Sequence, residues 1–106
     1  MKKNSVEERI GCIFTGEQVS RIHIEEDHDV VTEVEADVHG MSCSEARLFL
    51  HNLIALLRFP FKLIVIHGYV HGTAIKEMLY RSFSEKRLSE FGPVDCNYGI
   101  TWLQIA

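Results

Sequence analysis

The sequence predicts a two-layer α/β domain built as βαβαββ around a mixed sheet. Three observations carry that prediction. Val34-Glu35-Ala36-Asp37-Val38 alternates apolar and polar residues at the period of a strand. Ser42-Cys43-Ser44-Glu45 is a capping box, in which a serine hydroxyl takes the amide three residues on and the glutamate returns to the serine amide. Leu63-Ile64-Val65-Ile66 is an unbroken apolar run, as an inner strand requires. A strand, helix and strand in this order form a right-handed crossover between parallel strands.

The elements follow in order. From Ala46 onward, Phe49, Leu50, Leu53, Ile54 and Leu57 recur at helical spacing and form one apolar face. Pro60 ends that helix by disfavouring helical geometry at Phe59. A second helix opens after Gly72-Thr73, with Ile75, Met78, Leu79 and Phe83 as its stripe. Arg87–Phe91 is a strand candidate, Gly92-Pro93 and Asn97-Tyr98-Gly99 are turn signals, and Ile100–Ile105 is a closing strand with Trp102 in the core. Residues 1–32 stand apart as an extension ahead of a domain covering 33–106. Ile10–Phe14 and Val19–Ile24 read as two short strands around Thr15-Gly16-Glu17-Gln18, followed by an acidic linker. An ordered hairpin and a loose arm both fit that segment.

The chain has 106 residues, a length that suits one domain. No apolar run approaches a membrane span, and the N-terminus lacks the apolar centre of a secretory signal, so no membrane partner is expected. Cys12, Cys43 and Cys96 are odd in number and unpaired in spacing. Reduced thiols in a cytoplasmic protein are expected, and neither a disulfide framework nor a closed zinc site is. Residues 1–37 carry a net charge of −6 and residues 38–106 a net of +2, so charge by itself selects no partner.

The chemistry gathers where two strands each end in His-Gly. Asp37 and His39 lie at i, i+2 and so on one side of their strand, and His67 closes the next strand at the matching place. Open α/β sheets bind ligands beyond the carboxyl ends of parallel strands. The segment Gly68-Tyr69-Val70-His71-Gly72-Thr73 then opens the second helix, whose amides favour an anion, with Lys76 in the first turn.

Ala36-Asp37-Val38-His39-Gly40-Met41 resembles the Leu-Asp-x-His-Gly-Leu signature of the Smr (small MutS-related) domain family. Ile66–Lys76 is similar to its second motif, His-Gly followed by a glycine-bearing turn and helix, and Gly99-Ile100-Thr101 to its closing strand. The resemblance covers residues 33–106. It implies a fold like the C-terminal domain of translation initiation factor 3, and nucleic-acid binding with endonuclease activity on DNA or RNA, in some relatives at the ribosome. It assigns catalysis to Asp37, His39 and His67, and phosphate binding to Gly68, Tyr69, His71, Gly72, Thr73 and Lys76. Ala36 replaces the usual leucine, and Val70 stands where the pattern has its middle glycine.

On this reading His39, oriented by Asp37, is general base or acid, and His67 supplies the complementary proton or holds a non-bridging oxygen. The amides of residues 72–74 and Lys76 would meet the phosphorane charge. An RNA 2′-hydroxyl needs no metal, whereas DNA requires water or a metal-bound hydroxide. No cofactor is assigned, although Asp37, His39, His67 and His71 form a donor set that would suit a divalent metal. The runner-up is a nucleic-acid- or ribosome-binding module that does not cleave, favoured by Val70 and by the low basic charge. A third reading is a protein adaptor using the acidic arm. His23, His28 and His51 are expected at the surface, Cys43 as a small helix-start residue, and Arg47, Arg58, Lys62 and Arg81 as a solvated basic rim.

Overall fold

The computed structural model describes residues 2–68 and 73–106. In chain order the elements are α1 (Lys3–Ile13), α2 (Gly16–Ser20), β1 (Ile22–Asp27), β2 (Val30–Asp37), α3 (Cys43–Leu56), β3 (Phe61–Ile66), α4 (Ala74–Arg81), β4 (Leu88–Val94) and β5 (Asn97–Ile105). The strands form a mixed sheet in the order β1-β2-β3-β5-β4. β2 and β3 are parallel, joined through α3, and the other neighbours are antiparallel. The expected α/β class and the β2-α3-β3 crossover are present, with a fifth strand added at the β2 edge.

Strand parity defines the two faces of the sheet. Val34, Ala36, Val38, Leu63, Val65, Leu103 and Ile105 point to the helices and are buried with Phe49, Leu50, Leu53, Ile75 and Leu79. Residues of the opposite parity, Glu33, Glu35, Ile66, Trp102 and Gln104, line the uncovered face and remain half-exposed. The α3 start follows its sequence signal: Ser42 Oγ accepts from the Glu45 amide at 3.1 Å and Glu45 Oε1 from the Ser42 amide at 3.4 Å.

The first 32 residues differ from their reading. Ile10–Ile13 is the end of a helix, because Val6, Ile10 and Phe14 fall four residues apart and share one buried face. Thr15–Gln18 is no hairpin turn but a capping box that opens α2, with Thr15 Oγ1 accepting from the Gln18 amide at 3.2 Å. The acidic run is no linker. Glu25-Glu26-Asp27 completes β1, and His28 and Asp29 take φ of 50° and 66°, the left-handed pair a type I′ hairpin turn needs. Val6, Ile10, Phe14, Ile22, Ile24 and Val31 join the same apolar cluster as the rest of the chain.

Smaller corrections follow from packing. Gly92 and Pro93 lie inside β4, an edge strand where proline's missing N–H is harmless, and the turn falls at Asp95-Cys96. Trp102 is not in the core. Its indole covers Gly92 on the open face, with Lys62 Nζ 5.6 Å from the ring centroid. His51 is half-buried, stacked on Phe83 at 4.4 Å between centroids and bonded to Glu85 at 3.0 Å. Arg87 secures the C-terminal end of α3: its guanidinium donates to the carbonyls of Ile54, Leu57 and Phe59 and to that of Ala106. Among the described residues no helix is long and apolar enough to cross a membrane.

Candidate functional site

Parallel pairing sets Asp37 beside Ile66, and the Val38 amide continues the ladder to the Ile66 carbonyl at 2.9 Å. Both strands then release a His-Gly pair. Gly40 has φ of 82° and Gly68 of 75°, a left-handed backbone that glycine adopts at no steric cost. A Cβ built on Gly68 would lie 3.6 Å from the His39 Cβ, so the two corners are in contact.

His39 is the exposed member, with 64% of its side chain accessible. Asp37 Oδ1 accepts from the His39 amide at 3.2 Å and also pairs with His39 Nδ1. An ionised carboxylate only accepts, so Nδ1 holds the proton. That fixes the neutral tautomer and leaves Nε2 as an open lone pair, which bonds no described residue.

His67 is placed differently. It shares the parity of Leu63 and Val65 and turns to the helix-covered face, where it is only 6% exposed. Nδ1 donates to the Gly68 carbonyl at 2.8 Å, and Nε2 accepts from the buried Thr101 hydroxyl at 2.8 Å. Burial holds its pKa below the ordinary imidazole value; the Gly68 carbonyl opposes this and the Lys76 charge adds to it. The ring is therefore neutral with both nitrogens engaged. The expectation that two imidazoles line one open pocket is not met. The structure brings His39 to the Gly68 corner, while His67 supports that corner from behind.

The remaining predicted residues divide. Thr73 and Lys76 flank a shallow cleft of about 360 Å³ completed by Glu77, Tyr80 and Arg81, with Lys76 Nζ 5.8 Å from the Tyr80 ring centroid. Tyr69, His71 and Gly72, and the departure at Val70, lie outside the described residues. Arg47, Arg58, Lys62 and Arg81 form no single rim. Arg47 bonds Ser82, Arg58 lines a groove with Glu8 and Arg9, Lys62 covers Trp102, and Arg81 borders the α4 cleft. Among the described residues no three carboxylate, imidazole or thiol groups converge on a metal position.

Sequence reasoning missed two residues here. Thr101 shows a signal in hindsight, since it shares the inward parity of Leu103 and Ile105. Arg21 shows none, because nothing in the chain marks it as a neighbour of Asp37. Its Nη1 donates to the carbonyls of Asp37 at 3.2 Å and His39 at 3.1 Å, and its own carbonyl accepts from the Asp37 amide at 2.8 Å.

No family model and no curated protein matches the chain. Among solved structures, the chain is similar to the Smr domain of Thermus thermophilus MutS2, at a TM-score of 0.54 and 26% identity, over 68% of this chain and 96% of that one. The fold is Smr-like. In this Smr-like fold the mixed sheet with helices on one face also agrees with the architecture of the C-terminal domain of translation initiation factor 3. The first motif of the resemblance, residues 36–41, forms the exposed Asp37–His39 corner. The closing motif supplies Thr101, and Gly99, whose carbonyl accepts from the amides of His67 at 2.9 Å and Gly68 at 3.0 Å.

Proposed function

We propose that the chain is a cytoplasmic Smr-type nucleic-acid-processing protein that cleaves phosphodiester bonds at the Asp37–His39 pair. In this reading the Smr-like domain covers residues 33–106, and residues 1–32 are an elaboration fused to its core. The observation that supports it best is the exposed His39 ring with its tautomer set by Asp37 and its Nε2 open. Such a nitrogen can take a proton from an attacking hydroxyl while the carboxylate stabilises the imidazolium that forms.

On RNA the nucleophile is the 2′-hydroxyl. Its oxygen bonds phosphorus, its proton passes to His39 Nε2, and the 5′ oxygen leaves with a proton from solvent. Thr73 and Lys76 at the start of α4 would face the developing phosphorane charge. His67 keeps the Gly68 corner in shape and stays neutral. His67 has no free nitrogen, and among the described residues no third candidate ligand converges with Asp37 and His39 on a metal position.

One observation favours the second reading, a module that binds nucleic acid or a ribosome without cleaving. With His67 engaged on both nitrogens, no second imidazole among the described residues stands ready to protonate a leaving group. The two readings separate on plasmid nicking and RNA cleavage by the wild type and His39→Ala. Cleavage that falls by about 100-fold or more in the variant supports the enzyme, as loss of a general base should. Salt-sensitive binding with no cleavage in either protein supports the module.

A further inference from the structure

We infer that Arg21, contributed by the N-terminal segment, is the positioning residue of the Asp37–His39 pair. This deepens the reading above, since it says what holds the open imidazole in place. β1 pairs with β2 as far as Ile22 opposite Ala36. One residue further the regular ladder ends, and Arg21 takes over with both backbone and side chain. Its carbonyl accepts from the Asp37 amide at 2.8 Å. Its Nη1 then reaches past the strand end to the carbonyls on either side of Val38, those of Asp37 and His39.

The site's backbone is thus gripped from two edges. On the β3 side it has the Val38 amide bond to Ile66. On the β1 side no strand residue faces it, and the guanidinium fills that role. Asp37 and His39 can keep their mutual bond only while the 37–39 peptide holds its bend. Charge-assisted bonds to both carbonyls fix that bend.

Glu17 aims the guanidinium. Its Oε1 accepts from Arg21 Nε and Nη2, each at 3.3 Å, across one turn from α2. An i, i+4 pair alone would leave arginine on the surface, yet the Arg21 side chain is only 25% exposed and Glu17 76%. Only a planar fork satisfies Glu17 and two carbonyls together; a lysine ammonium presents no such geometry.

The test uses the full chain uniformly labelled with ¹⁵N, as wild type, Arg21→Ala, Arg21→Lys and Glu17→Gln. The readouts are the His39 ring ¹⁵N shifts, amide exchange at His39 against Val65, and kcat and KM for RNA cleavage. In Arg21→Ala, His39 amide exchange should quicken about tenfold, the equivalent of one lost hydrogen bond, with Val65 unchanged. The ring should then populate both tautomers, and kcat should fall about tenfold with KM held within about twofold. Arg21→Lys should resemble Arg21→Ala, and Glu17→Gln should lie between it and wild type. If Arg21→Ala does not fold, the lysine and Glu17→Gln variants decide. Wild-type ring shifts and His39 exchange in Arg21→Lys, or equal loss of protection at His39 and Val65, would overturn the inference. A wild type that neither cleaves RNA nor nicks plasmid DNA refutes the phosphodiester reading alone, because the ring and exchange data still judge Arg21.

Discussion

Replacing Thr101 with valine removes one oxygen from the buried side of the site and keeps the side-chain shape. Thr101 is fully buried, and its hydroxyl donates to His67 Nε2 at 2.8 Å. The substitution deletes a neutral hydrogen bond and leaves a ring nitrogen without a partner inside the protein. An unmet buried acceptor costs about 1–3 kcal/mol, so a loss of about 2 kcal/mol is expected. At about 4 °C per kcal/mol for a domain of this size, Tm should fall by about 8 °C at pH 8. The pH dependence is the sharper test. Burial, aided by Lys76 and opposed by the Gly68 carbonyl, depresses the His67 pKa in the folded protein. A depressed folded pKa gives stability that is whole above the unfolded value of about 6.5 and is lost as pH falls through the folded value. The Thr101 hydroxyl favours the neutral ring, so without it protonation becomes easier and less stability is lost in acid. The gap between wild type and Thr101→Val should be widest above about pH 6.5 and narrow below it. Urea unfolding followed by Trp102 fluorescence at several pH values measures that gap, and the His67 ring proton titration checks its cause. A gap that stays constant with pH, or a variant as stable as wild type at pH 8, would refute the account of His67.

Two further outcomes test what surrounds the site. Arg87→Ala strips a guanidinium from four carbonyls at 2.6–3.0 Å, at the end of α3 and at Ala106. It should cost about 3 kcal/mol in urea unfolding with little change in m, and Arg87→Lys should recover less than half of that. Gly92→Ala would bring a Cβ within 3.2 Å of the Trp102 ring. The indole must give by a few tenths of an ångström, at a cost of about 1 kcal/mol in urea unfolding, with a change in its emission that reports the altered contact.

Much of the sheet and helix pattern was legible because local signals and tertiary packing agree there. The Ser42–Glu45 box, the 46–57 stripe and the 63–66 run each specify one element, and each forms where expected. The first 32 residues were misread because their signals are short. Ile10–Phe14 is apolar enough for a strand, and only Val6 four residues earlier shows that one face of a helix is being written. Glu25–Asp27 is polar enough for a linker, and becomes a strand because β2 offers an edge and the charges sit outward along it. Trp102 was misplaced because parity assigns it to the open face, where glycine opposite makes room for its ring. Arg21 was invisible because hydrogen bonds spanning 16 and 18 residues leave no periodic trace in the chain.

The site itself turns on a register of one residue. Both strands end in His-Gly, which invites the idea that the two imidazoles stand level. Pairing of Asp37 with Ile66 puts Val38 opposite His67 and His39 opposite Gly68. In a sheet, a step of one residue changes the face. His39 therefore follows Asp37 onto the open side, and His67 follows Val65 into the covered side. The same register sets the glycine at position 68 beside His39. Its φ of 75° is left-handed, and a Cβ there would meet His39 Cβ at 3.6 Å, an ordinary contact, so the backbone conformation is what calls for glycine. A residue pairing Asp37 with Val65 instead would bring the rings level, and would also turn Ala36 and Val38 out of the core. Packing of β2 against the helices thus keeps His39 and His67 on opposite faces of the sheet, and of these two rings only His39 is open to take a proton in the proposed reaction.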